Sequence, residues 1–339
     1  MPPTPDHYSG CLIGQCLGDA LGFLVEGASP EACRAYVDQT LCGIERSEKG
    51  RRGFAFGQYT DDSQLARELL QSYVACVGFD PADYARRIAA IFTEQRIVGR
   101  GRATTEAASR LAQGVPWYEA GTRPPVAGNG SAMRAAPIGL FFHDDPVLLV
   151  VAAHDQGRIT HQDPRCSAGA VAIAGAVGLV LRGGPMDPAE FAGQLADWVW
   201  PMESSVAELL LQLPEWAGLN PEDAAPIISR AGYAPGYSDS WLGISPFVTS
   251  SVLWSLYSFL RSPTDYWQTI CTAIAVGGDV DTTAAMAGAV SGAYLGLAAL
   301  PQDLARRLTD RSTWGFDELV ALAHRVFELK TGGPQLARR

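Results

Sequence analysis

Along this chain apolar residues recur at intervals of three and four, and no stretch alternates apolar and polar residues in the two-residue rhythm of a half-buried strand. Pro81–Phe92 places Tyr84, Ile88, Ile91 and Phe92 on one side, and Leu65, Leu69, Leu70, Tyr73 and Val74 repeat with the same period. Phe247–Leu260 and Phe316–Leu329 predict two more helices. Two runs, Cys166–Leu181 and Ala284–Leu300, are apolar almost all round. They are short for a membrane span and rich in alanine and glycine, which predicts helices buried in a core. Gly10, Gly14, Gly18 and Gly22 recur at every fourth residue, as do Gly288, Gly292 and Gly296. Glycine inside a helix costs about 1 kcal/mol, so these stripes predict close packing against another backbone. No low-complexity linker divides the chain. The expectation is one all-α domain over residues 1–339, with about 1–8 and 331–339 as loose tails.

Polar residues cluster where these helices begin. Gly277-Gly278-Asp279-Val280-Asp281-Thr282-Thr283 leads into the long apolar run, and Tyr59-Thr60-Asp61-Asp62-Ser63 opens the Leu65 pattern. Either stretch alone reads equally as a helix cap or as a metal site, since Asp and Thr are good N-cap residues. Together they favour the second reading. Four carboxylates near apolar helices need a counter-charge, and the donors are all hard oxygens. Such donors suit Mg²⁺ or Mn²⁺ better than zinc, and four carboxylates balance two divalent ions. The clusters lie at opposite ends of the sequence and must meet for such a site to exist.

Composition narrows the partners. Hydrophobic residues make up 47% of the chain and charged residues 18%, enough to bury much of it, and the formal net charge is −10 with no basic run. That excludes an extended nucleic-acid surface, which needs clustered Lys and Arg. Seven cysteines, an odd number with no Cys-x-x-Cys, predict reduced thiols and a cytoplasmic protein. The first residues have neither the basic flank nor the apolar core of a secretory signal.

Several further positions stay open between a site and ordinary structure. Glu26 ends the first helical stretch, where the macrodipole disfavours an acid. Gly99-Arg100-Gly101-Arg102 precedes a helix and reads equally as a diphosphate cradle or a plain loop. Gly128-Asn129-Gly130-Ser131, with Met133 and Arg134 following, is a tight loop before a helix, and His161 stands at another helix entrance. The Gly232–Tyr237 loop either covers a ring-bearing ligand or caps the core.

The ordered set Gly18-Asp19-Ala20-Leu21-Gly22 with Glu26, Thr60-Asp61-Asp62, Gly128–Ser131 with Met133-Arg134, Thr160-His161 and Gly278-Asp279-Val280-Asp281-Thr282 resembles the ADP-ribosylglycohydrolase family over about residues 10–300. The resemblance implies an orthogonal all-α bundle with a dinuclear site of Mg²⁺ or Mn²⁺. It implies hydrolysis of the bond between ADP-ribose and an acceptor, in an ADP-ribosylated protein or small-molecule conjugate, with ADP-ribose as product. Carried over by position, Thr60, Asp61, Asp62, Asp279, Asp281 and Thr282 are metal ligands. Glu26 or Asp62 is the acid or base. Gly99, Gly101, Arg102, Asn129, Gly130, Ser131, Met133 and His161 contact substrate. Divalent ions polarise an anomeric region and activate water, and a carboxylate can carry the proton. An inactive ADP-ribose-binding or structural relative and a metal-dependent phosphohydrolase are the alternatives, and the identity of the products separates them.

Overall fold

The helix Pro5–Phe23 and the helix Val280–Leu295 touch backbone to backbone, and this pair organises the molecule. A Cβ on Gly10 would lie 2.3 Å from the Gly292 carbonyl oxygen, one on Gly14 2.4 Å from that of Gly288, and one on Gly18 2.1 Å from that of Ala284. The register rises along one helix as it falls along the other, so the two run antiparallel. The expected glycine stripes thus face each other. They bring the C-terminal end of the first helix, leading to Glu26, against the mouth of the second, with Asp279 and Asp281.

The computed structural model describes residues 2–43, 49–51, 53–184, 186–237 and 239–332, and it is all-α, with no strand among the described residues. Val280–Leu295 is buried from Val280 through Ala293, sheathed by Pro164–Leu181, Val248–Arg261 and Tyr266–Ala275 as well as by the first helix. Pro164–Leu181 is long and apolar enough to cross a membrane, and 83% of it is buried inside the protein, as a core helix should be.

The expected tails need correcting. The first helix starts at Pro5, where proline suits the first helical position. Tyr8 is fully buried, its hydroxyl donating to the Leu140 carbonyl at 2.6 Å. The last helix runs Phe316–Gly332, and Lys330 reaches Asp144 at 2.5 Å. Met1 and residues 333–339 lie outside the described residues.

Loops carrying the polar clusters are tied down by isolated bridges instead of a sheet. Gln58 pairs with Thr309, Thr122 with His161, Gly128 with Phe247, and Ile244 with Gly278. Behind the Asp61–Cys76 helix, the buried Asp310 carboxylate takes hydrogen bonds from Arg67 at 2.7 Å, Gln64 at 2.9 Å and Gln58 at 3.3 Å. A buried charge needs such pairing, and here the pairing also fixes the entry of the chain into Thr60.

Candidate metal centre and ligand cleft

Thr60 occupies the N-cap position of the Asp61–Cys76 helix, yet its side chain makes no cap hydrogen bond. Asp19, reaching over from the first helix, does that work. Its carboxylate accepts the Thr60 N–H at 3.0 Å and the Ser63 N–H at 3.1 Å, two donors that a helix start leaves without partners. The Thr60 hydroxyl donates to Asp19 at 2.9 Å and lies within donating distance of Asp62 Oδ2 at 3.1 Å. Both contacts are to acceptors, so the threonine lone pairs stay free. Asp279 likewise precedes its helix without capping it through its side chain. Neither Thr60 nor Asp279 therefore caps its own helix, although Asp281 Oδ1 accepts the first-turn Thr282 N–H at 3.0 Å, and both sets of oxygens face one cleft of about 420 Å³.

The Asp279 side of the cleft depends on tight backbone. Gly277 and Gly278 have φ of 77° and 90°, and a Cβ on Gly278 would stand 2.1 Å from the Ile244 carbonyl oxygen. Only glycine tolerates both conditions without strain. Gly27 N–H donates to the Gly278 carbonyl at 2.8 Å, and Gly278 N–H to that of Ala28 at 3.1 Å. This double strap lashes the Glu26 turn to the Asp279 loop. Ligand oxygens of Glu26, Asp279 and Asp281 all come within 4.8 Å of one another. Arg51 holds Glu26 from behind, with contacts of 3.1 Å to its carboxylate and 2.8 Å to its carbonyl, plus one to the Phe23 carbonyl. A cation that satisfies carbonyls at the end of a helix and the acid beyond them offsets the unfavourable placement of Glu26.

The electrostatics of the cleft suit a cation. Burial, followed by repulsion from Asp19, pushes the Asp61 carboxyl up to about 7. Burial brings Asp279 up to about 6 against the hydrogen bond from Asn129, and burial and neighbouring carboxylates raise Asp62 and Asp281 well above the usual range. Asp62 Oδ1 is buried with no hydrogen-bond partner. An orphaned carboxylate oxygen among hard donors is what a divalent cation would satisfy.

The opposite wall of the cleft is built from the expected loops. Gly99, at φ 78°, brings its backbone so close to Asp61 that a Cβ would lie 2.3 Å from Oδ1. Gly101 meets no such crowding, its nearest atom being 3.8 Å away. Arg102, Gly130, Met133 and His161 also line the cleft. Asn129 lines it too, while its amide donates to Asp279 Oδ2 at 2.6 Å, so part of its work is to hold a carboxylate. Of the expected site residues only Ser131 lies elsewhere; fully buried, its hydroxyl donates to the Cys166 carbonyl at 2.9 Å. Tyr233 stacks on Phe247, and Tyr237 stands 58% exposed, so the Gly232–Tyr237 loop caps structure and does not line the cleft. Trp241, just beyond that loop, lines it instead. Sequence reasoning assigned no role to Asp19, Arg51 or Trp241. An acid amid the glycine and leucine of a buried helix was the available signal for Asp19.

Compared with known proteins, the chain matches the sequence profile described as ADP-ribosylglycohydrolase over residues 1–335. The chain belongs to the ADP-ribosylglycohydrolase family. It is 28% identical to the ADP-ribosylhydrolase ARH3 of Homo sapiens, with 95% of this chain and 94% of that protein covered. It is 27% identical to the ADP-ribosylarginine hydrolase Tri1 of Pseudomonas putida, with 94% and 82% covered. A solved structure titled "ADP-ribosylglycohydrolase-related protein complex" superposes with a TM-score of 0.71 at 27% identity, covering 96% of this chain and 98% of that one. As an ADP-ribosylglycohydrolase, the chain carries its acid clusters at the starts of the helices Asp61–Cys76 and Val280–Leu295, and glycine holds the second of these against the first helix.

Proposed function

We propose that the protein hydrolyses the glycosidic bond joining ADP-ribose to an acceptor, with two divalent cations, Mg²⁺ or Mn²⁺, in the acidic cleft. The observation that carries this reading is the convergence of Thr60, Asp61 and Asp62 with Asp279, Asp281 and Thr282, from opposite ends of a family member's chain, around an unpartnered Asp62 oxygen. These six side chains would hold the ions. When bound, the ions would supply Lewis acidity and a template for the ribose hydroxyls. Asp19 keeps Thr60 free to ligate, and Asn129 orients Asp279. Glu26 stands at the cleft edge with its side chain 31% exposed, reaching both the acidic cluster and solvent, a position suited to passing a proton. The wall of Gly99–Thr104 and Gly128–Gly130 supplies backbone and side-chain donors for the diphosphate and ribose. The seven cysteines are free thiols, which suits a reducing, cytoplasmic setting.

The test is a panel of ADP-ribose conjugates linked through arginine, serine, other side chains, nucleic-acid ends and small molecules, with products identified by mass spectrometry. Free, intact ADP-ribose from at least one member is expected, and the member that turns over fastest names the acceptor. AMP as first product, with ribose phosphate left on the acceptor, would establish a phosphohydrolase instead. No turnover across the panel, with ADP-ribose still bound, would establish a binding protein.

A further inference from the structure

Two of the free cysteines face each other across the fold, outside the cleft. Cys42 Sγ lies 3.7 Å from Cys271 Sγ. Cys42 is exposed and follows the π-helical turn Val37–Leu41, which its N–H closes by donating to the Val37 carbonyl at 2.8 Å. Cys271 sits in the helix Tyr266–Ala275 and is 5% exposed. The other thiols are placed differently. Cys11 and Cys16 are buried within the first helix. Cys33 and Cys166 are buried against the carbonyls of Val25 at 3.8 Å and Gly128 at 3.2 Å. Cys76 is exposed at the end of the Asp61–Cys76 helix.

The sulfur contact joins the two segments that supply Glu26 and Asp279. The helix Pro30–Tyr36 and the π-helical turn pack along Tyr266–Ala275. At one end of this contact lies the strap of Gly27 and Ala28 to Gly278, where a Cβ on Gly277 would stand 2.6 Å from the Pro30 nitrogen. At the other end Cys42 meets Cys271. Residues 28–42 therefore run antiparallel to residues 271–278. Glu26 stands just before the first segment and Asp279 just after the second. Backbone hydrogen bonds fasten the end nearest the acids, and the thiol pair stands where a covalent bond would fasten the other.

Burial, and then the neighbouring Cys42, pushes the Cys271 thiol up, so Cys271 keeps its proton at neutral pH. An exposed thiol touching a buried one is the arrangement of a cysteine open to oxidant and a second that resolves it. We propose that Cys42 and Cys271 form an oxidative modification site, at which hydrogen peroxide joins them in a reversible disulfide that braces the Glu26 turn against the Asp279 loop. The Cys42 sulfur attacks a peroxide oxygen, the O–O bond breaks, and water leaves behind a sulfenic acid. The Cys271 sulfur then attacks the Cys42 sulfur, the S–O bond breaks, and the Cys271 proton departs with the hydroxide as a second water. The two thiols lose two electrons and two protons, and the peroxide takes them all. A reducing dithiol reverses the bond by exchange. Disulfides of this transient kind are the ones found in reducing compartments, where they serve redox sensing. Neither cysteine lines the cleft, so the brace leaves its lining unchanged and is independent of the substrate.

Oxidation of the full-length protein with hydrogen peroxide tests this. The intact mass should fall by two hydrogens, and a peptide map made without reductant should show Cys42 joined to Cys271. The bond closes a loop between residues 229 apart in the chain. The melting temperature should therefore rise, by roughly 3–8 °C in a chain of 339 residues, and return to its starting value in dithiothreitol. Amide hydrogen exchange over Pro30–Leu41 should slow on oxidation, because local opening of that segment is then restrained. Cys42→Ser, at an exposed position, should show neither the bond nor the rise. Cys271→Ser should behave in the same way, and if it fails to fold Cys42→Ser still decides. A link between other cysteines or between molecules, uptake of oxygen with no link, or an oxidised parent that melts no higher than the reduced one overturns the proposal.

Discussion

Exchanging Asp19 for asparagine separates what the buried carboxylate does for the fold from what it does for the metal. In the parent, the Thr60 and Ser63 N–H groups converge on Asp19 Oδ2 at 3.0 and 3.1 Å, and the Thr60 hydroxyl donates to Oδ1 at 2.9 Å. An asparagine oxygen placed at Oδ2 keeps both backbone donors satisfied, so the start of the Asp61–Cys76 helix survives. Its amide then occupies the Oδ1 position and donates to the Thr60 oxygen, consuming a lone pair that we assign to the cation. Changes of this kind behind a ligand weaken metal binding by about 10- to 100-fold, or about 1.4–2.7 kcal/mol. The metal-free protein should be no less stable than the parent, because the substitution removes one charge from a cluster in which burial already pushes Asp19 itself up to about 7. Calorimetric titration with Mn²⁺ measures the first effect, and thermal melts in chelator the second. If Asp19 acts through Thr60, adding Thr60→Val to the asparagine variant should give much less than the sum of the two losses. Parent-like Mn²⁺ affinity, or full additivity with Thr60→Val, would refute the reasoning.

Three other outcomes are expected. Glu26→Gln should lower turnover by about 10²- to 10⁴-fold while the Mn²⁺-induced rise in melting temperature persists; parent-rate turnover removes Glu26 from proton transfer. In chelator, the melting temperature should fall as pH rises from about 4 to about 7. Asp61 and Asp279, at about 7 and about 6, hold their protons in the folded state over a window where the unfolded chain has already released them. Excess Mg²⁺, which binds the deprotonated ligands, should flatten or reverse that slope, and a flat profile without metal would contradict the crowding of carboxylates. Gly18→Ala should destabilise by about 1–3 kcal/mol in denaturant titration, because its Cβ would meet the Ala284 carbonyl oxygen at 2.1 Å; a gain, as helix propensity alone would give, would mean that the helices part freely.

What could be seen in the sequence was what is local. Apolar periodicity marked the helices, and four-residue spacing marked glycine stripes that do face each other. The two acid–hydroxyl stretches are short enough to recognise, and the fold brings both into one cleft. What escaped depends on partners far apart in the chain. Asp19 caps a helix that starts at Asp61, Asn129 serves Asp279 as well as the cleft, and Arg51 grips the turn after Phe23. Ser131 looked like its neighbours in the Gly-Asn-Gly-Ser turn, but one residue of a tight turn faces away from the next, and it bonds to Cys166. The N-terminal residues looked loose because their burial depends on Leu140, which local periodicity cannot reveal.

The antiparallel glycine contact also governs the order in which the molecule can be made. Gly18 leaves the ribosome well ahead of Ala284, and synthesis at about 5–20 residues per second puts roughly 15–50 s between them. Throughout that interval the first helix has no partner for its glycine face, and the Asp19 carboxylate can meet Thr60 before Glu26 can meet Asp281. Growing chains should therefore acquire half of the acidic cluster well before they can retain an ion, and a chain that stops short of Ala284 leaves a smooth apolar surface open to any other helix that can lie flat against it.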